Sequence, residues 1–154
     1  MNIWTREQFD YFLTFEKKSA YRMAFSLMFY GGLRSAEVLA ITPADILPDC
    51  SVSINKNFVV IKGEQYFQTP KTEKSKRVVN IPQSLYKELQ DYVASMAIEL
   101  DERIFYFQKS GMRSEFKRAT ARSGLPEIRI HDLRHSHASM LTVSYTHLRA
   151  HETR

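Results

Sequence analysis

The sequence lacks most of what stabilises secreted proteins or anchors membrane proteins. Its 154 residues include a single cysteine, Cys50, which excludes an internal disulfide framework. No apolar run approaches the length of a membrane span, and the N-terminus lacks the basic-then-apolar order of a signal peptide. No repeat, low-complexity segment or linker divides the chain. We therefore expect one soluble domain, without a membrane partner, in a reducing cytoplasm.

The excess of basic over acidic residues is small. The chain has 22 lysines and arginines against 17 acidic residues, a formal net charge of +5 at pH 7. This balance favours an anionic partner, although many basic proteins bind no nucleic acid. With 44% hydrophobic and 25% charged residues, the composition is that of a globular domain with a single core.

Helical patterns flank a segment of strand patterns. Thr5 and Gln8 form a capping-box pattern at the start of the first helix. Residues 21–30 are apolar on nearly every side, as in a helix at the centre of a domain. Residues 51–81 contain short strand patterns separated by turns, and helical spacing returns after Pro82. This order predicts an α+β fold that is mostly helical, with a small antiparallel sheet whose tip is rich in lysine.

Segment 130–139 concentrates titratable and basic side chains. On a helix, His131, Arg134 and His135 share one face, because three and four positions separate them. A proton-transfer group beside a permanent cation suits work on a phosphate. Alternatively, His131 and His135 could bind zinc with a third ligand from His137 or a distant carboxylate. The segment could also be no more than a polar helix start.

Arg34 follows the Gly31-Gly32 turn, and the buried helix before this turn should hold it in a rigid position. A rigid guanidinium is what phosphate recognition needs. The plainer interpretation is a surface arginine at a helix end. Glu37 could fix Arg34, or it could be an ordinary acid in a first helical turn.

Lys71 is expected at the tip of the predicted hairpin. Three basic residues lie near it in the sequence: Lys74, Lys76 and Arg77. They could keep a sheet edge soluble, or they could lie in a nucleic-acid groove where one lysine delivers a proton. A basic helix predicted over residues 114–123 adds Arg118.

Three motifs follow one another along the chain. They are GGLRSAEVLAI at residues 31–41, PKT at 70–72 with RVVNIP at 77–82, and HDLRHSHA at 131–138. In this order they resemble the catalytic domain of the tyrosine recombinases, the phage integrase family. The opening WTREQF at residues 4–9 also resembles the start of that domain. The first and third motifs are specific in combination, and Lys71 gains its specificity by lying between them.

The resemblance implies a role for each matching residue. Arg34 and Arg134 would hold the non-bridging oxygens of the scissile phosphate and stabilise the charge of the transition state. Lys71 would protonate the departing 5′-oxygen, and His131 would assist proton transfer at the nucleophile. The supporting residues would be Glu37 and His135. The DNA contacts would come from Lys74, Lys76, Arg77 and Arg118. No metal or other cofactor is needed, because the phosphotyrosyl bond keeps the energy for rejoining.

The end of the chain departs from the family pattern. Residues 143–154 resemble one reading frame of a transposase adapter used in sequencing libraries, so we expect the catalytic domain to comprise residues 1–142. The family's later leucine–glycine–histidine motif and nucleophilic tyrosine are missing, and Tyr145 lies too close to Arg134 to replace that tyrosine. The same tail imitates a metal-binding face through His147, His151 and Glu152. We expect a truncated catalytic domain that has no nucleophile, cannot cleave DNA and exposes apolar surface.

Three functions compete. The leading hypothesis is site-specific DNA recombination or integration through a 3′-phosphotyrosyl intermediate. Its partners would be double-stranded DNA and, for a full-length protein, other protomers in a synaptic tetramer. The alternative is a DNA-binding module without chemistry. The third is a zinc-dependent hydrolase built on His131 and His135.

Overall fold

The computed structural model describes the backbone of residues 2–152 and the side chains of residues 2–143. The helices are α1 (Arg6–Leu13), α2 (Ser19–Gly31), α3 (Ser35–Ala40), α4 (Gln83–Ser95), α5 (Lys109–Ser123) and α6 (Asp132–Glu152). The strands are β1 (Ile46–Leu47), β2 (Ser51–Ile54), β3 (Asn57–Ile61), β4 (Glu64–Gln68) and β5 (Arg77–Asn80). The predicted α+β class, mostly helical with antiparallel strands, is confirmed.

Helix α2 occupies the centre of the core, as its apolar sequence predicts. It contacts α3, α4, α5 and α6, and it fully buries Met23, Ala24, Phe25, Leu27, Met28 and Phe29. Phe9 of α1 stacks on Phe29, with the ring centroids 4.3 Å apart. The predicted capping box starts α1: Thr5 Oγ1 accepts from the backbone N–H of Gln8, whose side chain accepts from the N–H of Thr5.

The strands form two separate antiparallel sheets, whereas the sequence analysis expected them in a single small sheet with a lysine-rich tip. β2 lies between β1 and β5, while β3 and β4 form a hairpin that turns at residues 62–63. Because β2 pairs with β5, the β3–β4 hairpin is an excursion from the three-stranded sheet. Lys71 therefore lies in the loop between β4 and β5 and not at a hairpin tip.

Helix α6 packs along α2 and is also tied to the start of the chain. The backbone N–H of Trp4 donates to Ser136 Oγ at 3.0 Å, and its indole N–H donates to the carbonyl of Pro126 at 2.9 Å. These bonds hold the beginning of α6 against the body of the domain. Among the described residues, no helix has the length and apolarity needed to cross a membrane.

The structure describes the adapter-like tail, residues 143–154, only in part. The backbone of α6 extends to Glu152. The side chains of Tyr145, His147, His151 and Glu152 lie outside the described part of the chain. The boundary at residue 142 stays a prediction.

Candidate functional site

Helix α3 presents Arg34 at its N-terminal end. Glu37, in the first turn, accepts a hydrogen bond from the backbone N–H of Arg34 at 2.8 Å and lies 3.5 Å from its guanidinium. Arg77, at the start of β5, donates two hydrogen bonds to the same carboxylate at 2.9 and 3.0 Å. Glu37 is buried, whereas 48% of the Arg34 side chain is exposed. The carboxylate thus fixes the backbone of Arg34 and leaves its guanidinium open to a ligand.

The environment of Glu37 keeps its carboxyl ionised. Burial raises the pKa of Glu37, but the hydrogen bonds from Arg77 and from the backbone of Arg34 outweigh it, so the pKa lies below its ordinary value. Arg77 was predicted to contact DNA. The structure places both of its terminal nitrogens on Glu37 and one also on the carbonyl of Ser75.

Arg134 reaches the same turn from α6. Its Nε donates to the carbonyl of Gly32 at 3.0 Å, only two positions before Arg34. Burial, followed by the positive charge of Arg34, lowers the pKa of Arg134, and Glu37 opposes this. Arginine stays protonated far above neutral pH even so. Two guanidiniums therefore carry their charge near one buried carboxylate, an arrangement suited to a phosphate.

The three histidines of the segment do not act together. His131 lies in the turn before α6, and its ring is perpendicular to that of His135 at 4.8 Å. Burial, followed by the nearby His135 and Arg134, lowers the pKa of His131, which favours the neutral imidazole that can accept a proton. His137 points elsewhere, because its Nδ1 lies 2.7 Å from the carbonyl oxygen of Phe29.

The zinc alternative required His137 as a third ligand or a distant carboxylate. The hydrogen bond to Phe29 removes His137 Nδ1 from that role. Within the part of the chain whose side chains are described, no group of three or more histidine, cysteine or acidic residues could hold a metal ion.

A basic cleft of about 670 Å³ adjoins Arg34 and His131. Its cationic lining from α5 consists of Lys109, Arg113 and Lys117. These residues are four positions apart and therefore follow one face of the helix. Arg129 adds a further charge to the lining. The sequence interpretation missed Lys109 and Arg113 because it started the basic helix at residue 114, five positions later than α5 begins. Within that helix it singled out Arg118 and not Lys117. The four-residue spacing of these basic side chains in the sequence could have revealed this face of the helix.

Arg118 lies on the opposite face of α5. Its Nε is 3.7 Å from the buried carboxylate of Glu115, in a surface depression shared with Lys18 and Arg122. One position along a helix rotates a side chain by about 100°, so Lys117 and Arg118 point in different directions. The other sequence candidates are on the loop between β4 and β5. Lys71 and Lys74 are exposed there, and Lys76 pairs with Glu73 at 3.4 Å.

Comparisons with known proteins agree with this geometry. Residues 4–151 match the phage integrase family. The ICEBs1 integrase of Bacillus subtilis (strain 168) is 28% identical over 158 residues, which cover 92% of this chain and 43% of that protein. The Tn1549 transposon integrase in complex with circular intermediate DNA is 18% identical with a TM-score of 0.74, covering 93% of this chain and 55% of that one. XerA recombinase is 15% identical with a TM-score of 0.70, covering 92% and 51%. The chain thus spans about half the length of these relatives.

Proposed function

Because the chain belongs to the phage integrase family, we propose that it is part of a site-specific DNA recombinase. The reaction would cleave and rejoin DNA strands through a 3′-phosphotyrosyl intermediate. The observation that carries the proposal is the meeting of Arg34 and Arg134 at the Gly32 turn, with Glu37 buried behind them. The Tn1549 relative, solved in complex with DNA, supports double-stranded DNA as the substrate, and a DNA substrate implies a cytoplasmic location.

The two arginines suit the charge that develops during phosphoryl transfer. When a tyrosine oxygen attacks phosphorus, negative charge grows on the non-bridging oxygens, and fixed guanidiniums stabilise it without reorganisation. The bond to the 5′-oxygen breaks as the bond to tyrosine forms. Lys71 would give that oxygen its proton, and the neutral imidazole of His131 would take up the proton of the nucleophile. Rejoining reverses these transfers, so no cofactor is consumed.

The proposal also concerns the nucleophile. We propose that the 154-residue chain forms no covalent bond to DNA and that the intact protein supplies a tyrosine beyond residue 142. Leu141 of α6 is 54% exposed, as expected of a helix that packs against further structure in the intact protein. That structure would be later helices or another protomer of a tetramer assembled on DNA.

The basic cleft gives the DNA a path away from the arginines. Lys109, Arg113 and Lys117 continue the positive charge of Arg34 along one face of α5. Regularly spaced cations position a duplex through its phosphates and do not read its sequence. We propose that this face holds the strand next to the scissile phosphate, in addition to the lysines of the β4–β5 loop.

Suicide substrates test the chemistry. Nicked duplexes with randomised sequence can trap a covalent protein–DNA adduct even though the recombination site is unidentified. A longer protein that continues through the natural C-terminus should form the adduct, and the 154-residue chain should not. In the longer protein, Arg34→Ala or Arg134→Ala should slow adduct formation by at least about 100-fold, while duplex binding falls much less.

Each outcome separates the competing functions. Normal cleavage by the Arg34→Ala protein would refute the role of this site. An adduct formed by the 154-residue chain would refute its proposed inactivity. The alternative, a DNA-binding module without chemistry, requires a longer protein that binds duplex DNA and gives no adduct.

A further inference from the structure

The turn that carries Arg34 is held by a second residue of α6. His137 follows Arg134 by three positions, so both point toward the end of α2. Arg134 Nε binds the carbonyl of Gly32, and His137 Nδ1 lies 2.7 Å from that of Phe29. A carbonyl oxygen can only accept, so Nδ1 must carry the proton. The last carbonyls of a helix lack N–H partners within the helix, and His137 supplies one.

The imidazole also rests directly on Gly32. A Cβ at this position would lie 2.5 Å from Cδ2 and 2.9 Å from Nε2 of His137. Gly32 has a left-handed conformation, with φ of 71°, that ends α2 and directs the chain into α3. The ring therefore touches the residue whose backbone angles set the position of Arg34.

The hydrogen bond from His137 is independent of pH near neutrality. Burial lowers the pKa of His137, as do the charges of Arg134 and Arg77, whereas the bond to Phe29 opposes the shift. The imidazole is therefore neutral at pH 7. Its Nδ1–H is present both in the neutral tautomer that binds Phe29 and in the protonated ring.

We propose that His137 is a positioning residue that locks the Gly32 turn and so keeps Arg34 and Arg134 aligned on one phosphate. The proposal rests on the proposed function for its consequence, but the locking itself is a property of the folded chain. His137 does not touch the phosphate. It acts through Gly32 and Phe29, and Arg134 shares the turn that it holds.

The tautomer of His137 in the unmodified 154-residue chain is the first test. Nitrogen-15 NMR of the imidazole should find the proton on Nδ1 at pH 7. A neutral ring protonated on Nε2 would overturn the proposal without any variant.

Two substitutions test the locking. His137→Asn places an amide N–H near the position of Nδ1, whereas His137→Leu keeps an apolar side chain without a donor. Hydrogen exchange at Arg134 Nε–H, compared with global stability from urea unfolding, should be about tenfold faster in the leucine variant through local opening. The asparagine variant should restore most of the protection. A folded His137→Leu chain with unchanged protection of Arg134 would overturn the proposal.

The functional consequence has a separate probe. Orthovanadate, a tetrahedral analogue of phosphate, can be titrated while the Nε–H signals of Arg34 and Arg134 are followed by NMR. His137→Leu should weaken vanadate binding about tenfold, because misplaced guanidiniums bind the anion less well. His137→Asn should restore the binding. If vanadate leaves the Arg34 and Arg134 signals of the unmodified chain unchanged, that result counts against the proposed function. The hydrogen-exchange measurement would still show whether His137 holds the Gly32 turn.

Discussion

Glu37 connects three parts of the chain through one carboxylate. It holds the backbone of Arg34 in α3 and the guanidinium of Arg77 in β5, and its charge acts on Arg134 of α6. A buried charge is tolerated only where hydrogen bonds and opposite charges satisfy it. The acid therefore supports the arginines, and under the proposed function the guanidiniums of Arg34 and Arg134 would bind the phosphate.

At the same scale, Gly32 should tolerate alanine much less than an exposed left-handed glycine. Gly124, the cap of α5, is the matched control because its φ is 72° and nothing lies within 4 Å of an added Cβ. Gly124→Ala should cost about 1–2 kcal/mol for the left-handed conformation alone. Gly32→Ala should cost a further 1–3 kcal/mol or so, because its Cβ overlaps His137.

Urea unfolding at pH 7 measures both free energies. The double variant Gly32→Ala/His137→Ala should recover part of the extra loss, since the overlap disappears with the ring. Equal losses of unfolding free energy in the two alanine variants would show that the His137 ring can move aside without a loss of stability.

The helix α5 has two faces with different electrostatics. The cleft face carries Lys109, Arg113 and Lys117. On the other face, Arg118 and Arg122 lie near buried carboxylates: each is 3.7 Å from Glu115, and Arg122 is also 3.7 Å from Glu16. Arginines neutralised by buried acids release fewer counterions when DNA binds. The two faces should therefore contribute unequally to affinity.

Arg113 and Arg118 make a matched pair, because both are exposed arginines of the same helix. Arg113→Gln should weaken binding to a non-specific duplex and reduce the slope of log affinity against log salt by about one. Arg118→Gln should leave the slope nearly unchanged. Fluorescence anisotropy at several salt concentrations measures both. If Arg118→Gln has the larger effect, the sequence interpretation of Arg118 is right and the cleft is not the DNA path.

Across the whole molecule, buried carboxylates paired with cations connect distant elements. Three of the pairs among the described residues are Glu37–Arg77, Asp45–Lys56 and Glu115–Lys18. Burial raises each carboxyl pKa, but hydrogen bonds from the cations outweigh it and leave all three lowered. Stability from these pairs is present above the ordinary carboxyl pKa and is lost as pH falls through the folded values. Glu16 differs, because burial and the charge of Glu115 leave its pKa raised.

Two charge-neutralising variants should consequently change stability in opposite directions. Glu16→Gln should stabilise the chain at pH 7, because the folded state pays to ionise this carboxyl as pH rises through its raised pKa. Glu37→Gln should destabilise it at pH 7. The effect of Glu16→Gln should fade as pH falls from the raised pKa of Glu16 toward the ordinary glutamate value of 4.5. The effect of Glu37→Gln should fade only below 4.5, as pH falls through the lowered pKa of Glu37. Urea midpoints measured from pH 3 to pH 7 or so test both signs. A Glu16→Gln chain less stable than the parent at pH 7 would contradict this account.

Features that depend on neighbouring residues could be predicted from the sequence. The capping box at Thr5, the buried helix α2 and the strand patterns are local, and periodicity reveals them. The ordered motifs identified the family, which the match over residues 4–151 confirms. The start of α5 escaped prediction because the helix continues through Gly111, a residue that disfavours helix interiors.

The contacts between residues far apart in the sequence could not be predicted and depend on the packing of the folded chain. The pairing of β2 with β5 divides the strands into two sheets, and Glu37 binds Arg77 across 40 positions. His137 reaches Phe29 across 108 positions. No local pattern encodes such contacts, because they depend on how helices and sheets pack around the common core. The residues proposed to bind phosphate were readable one by one, but their arrangement around the Gly32 turn came from that packing.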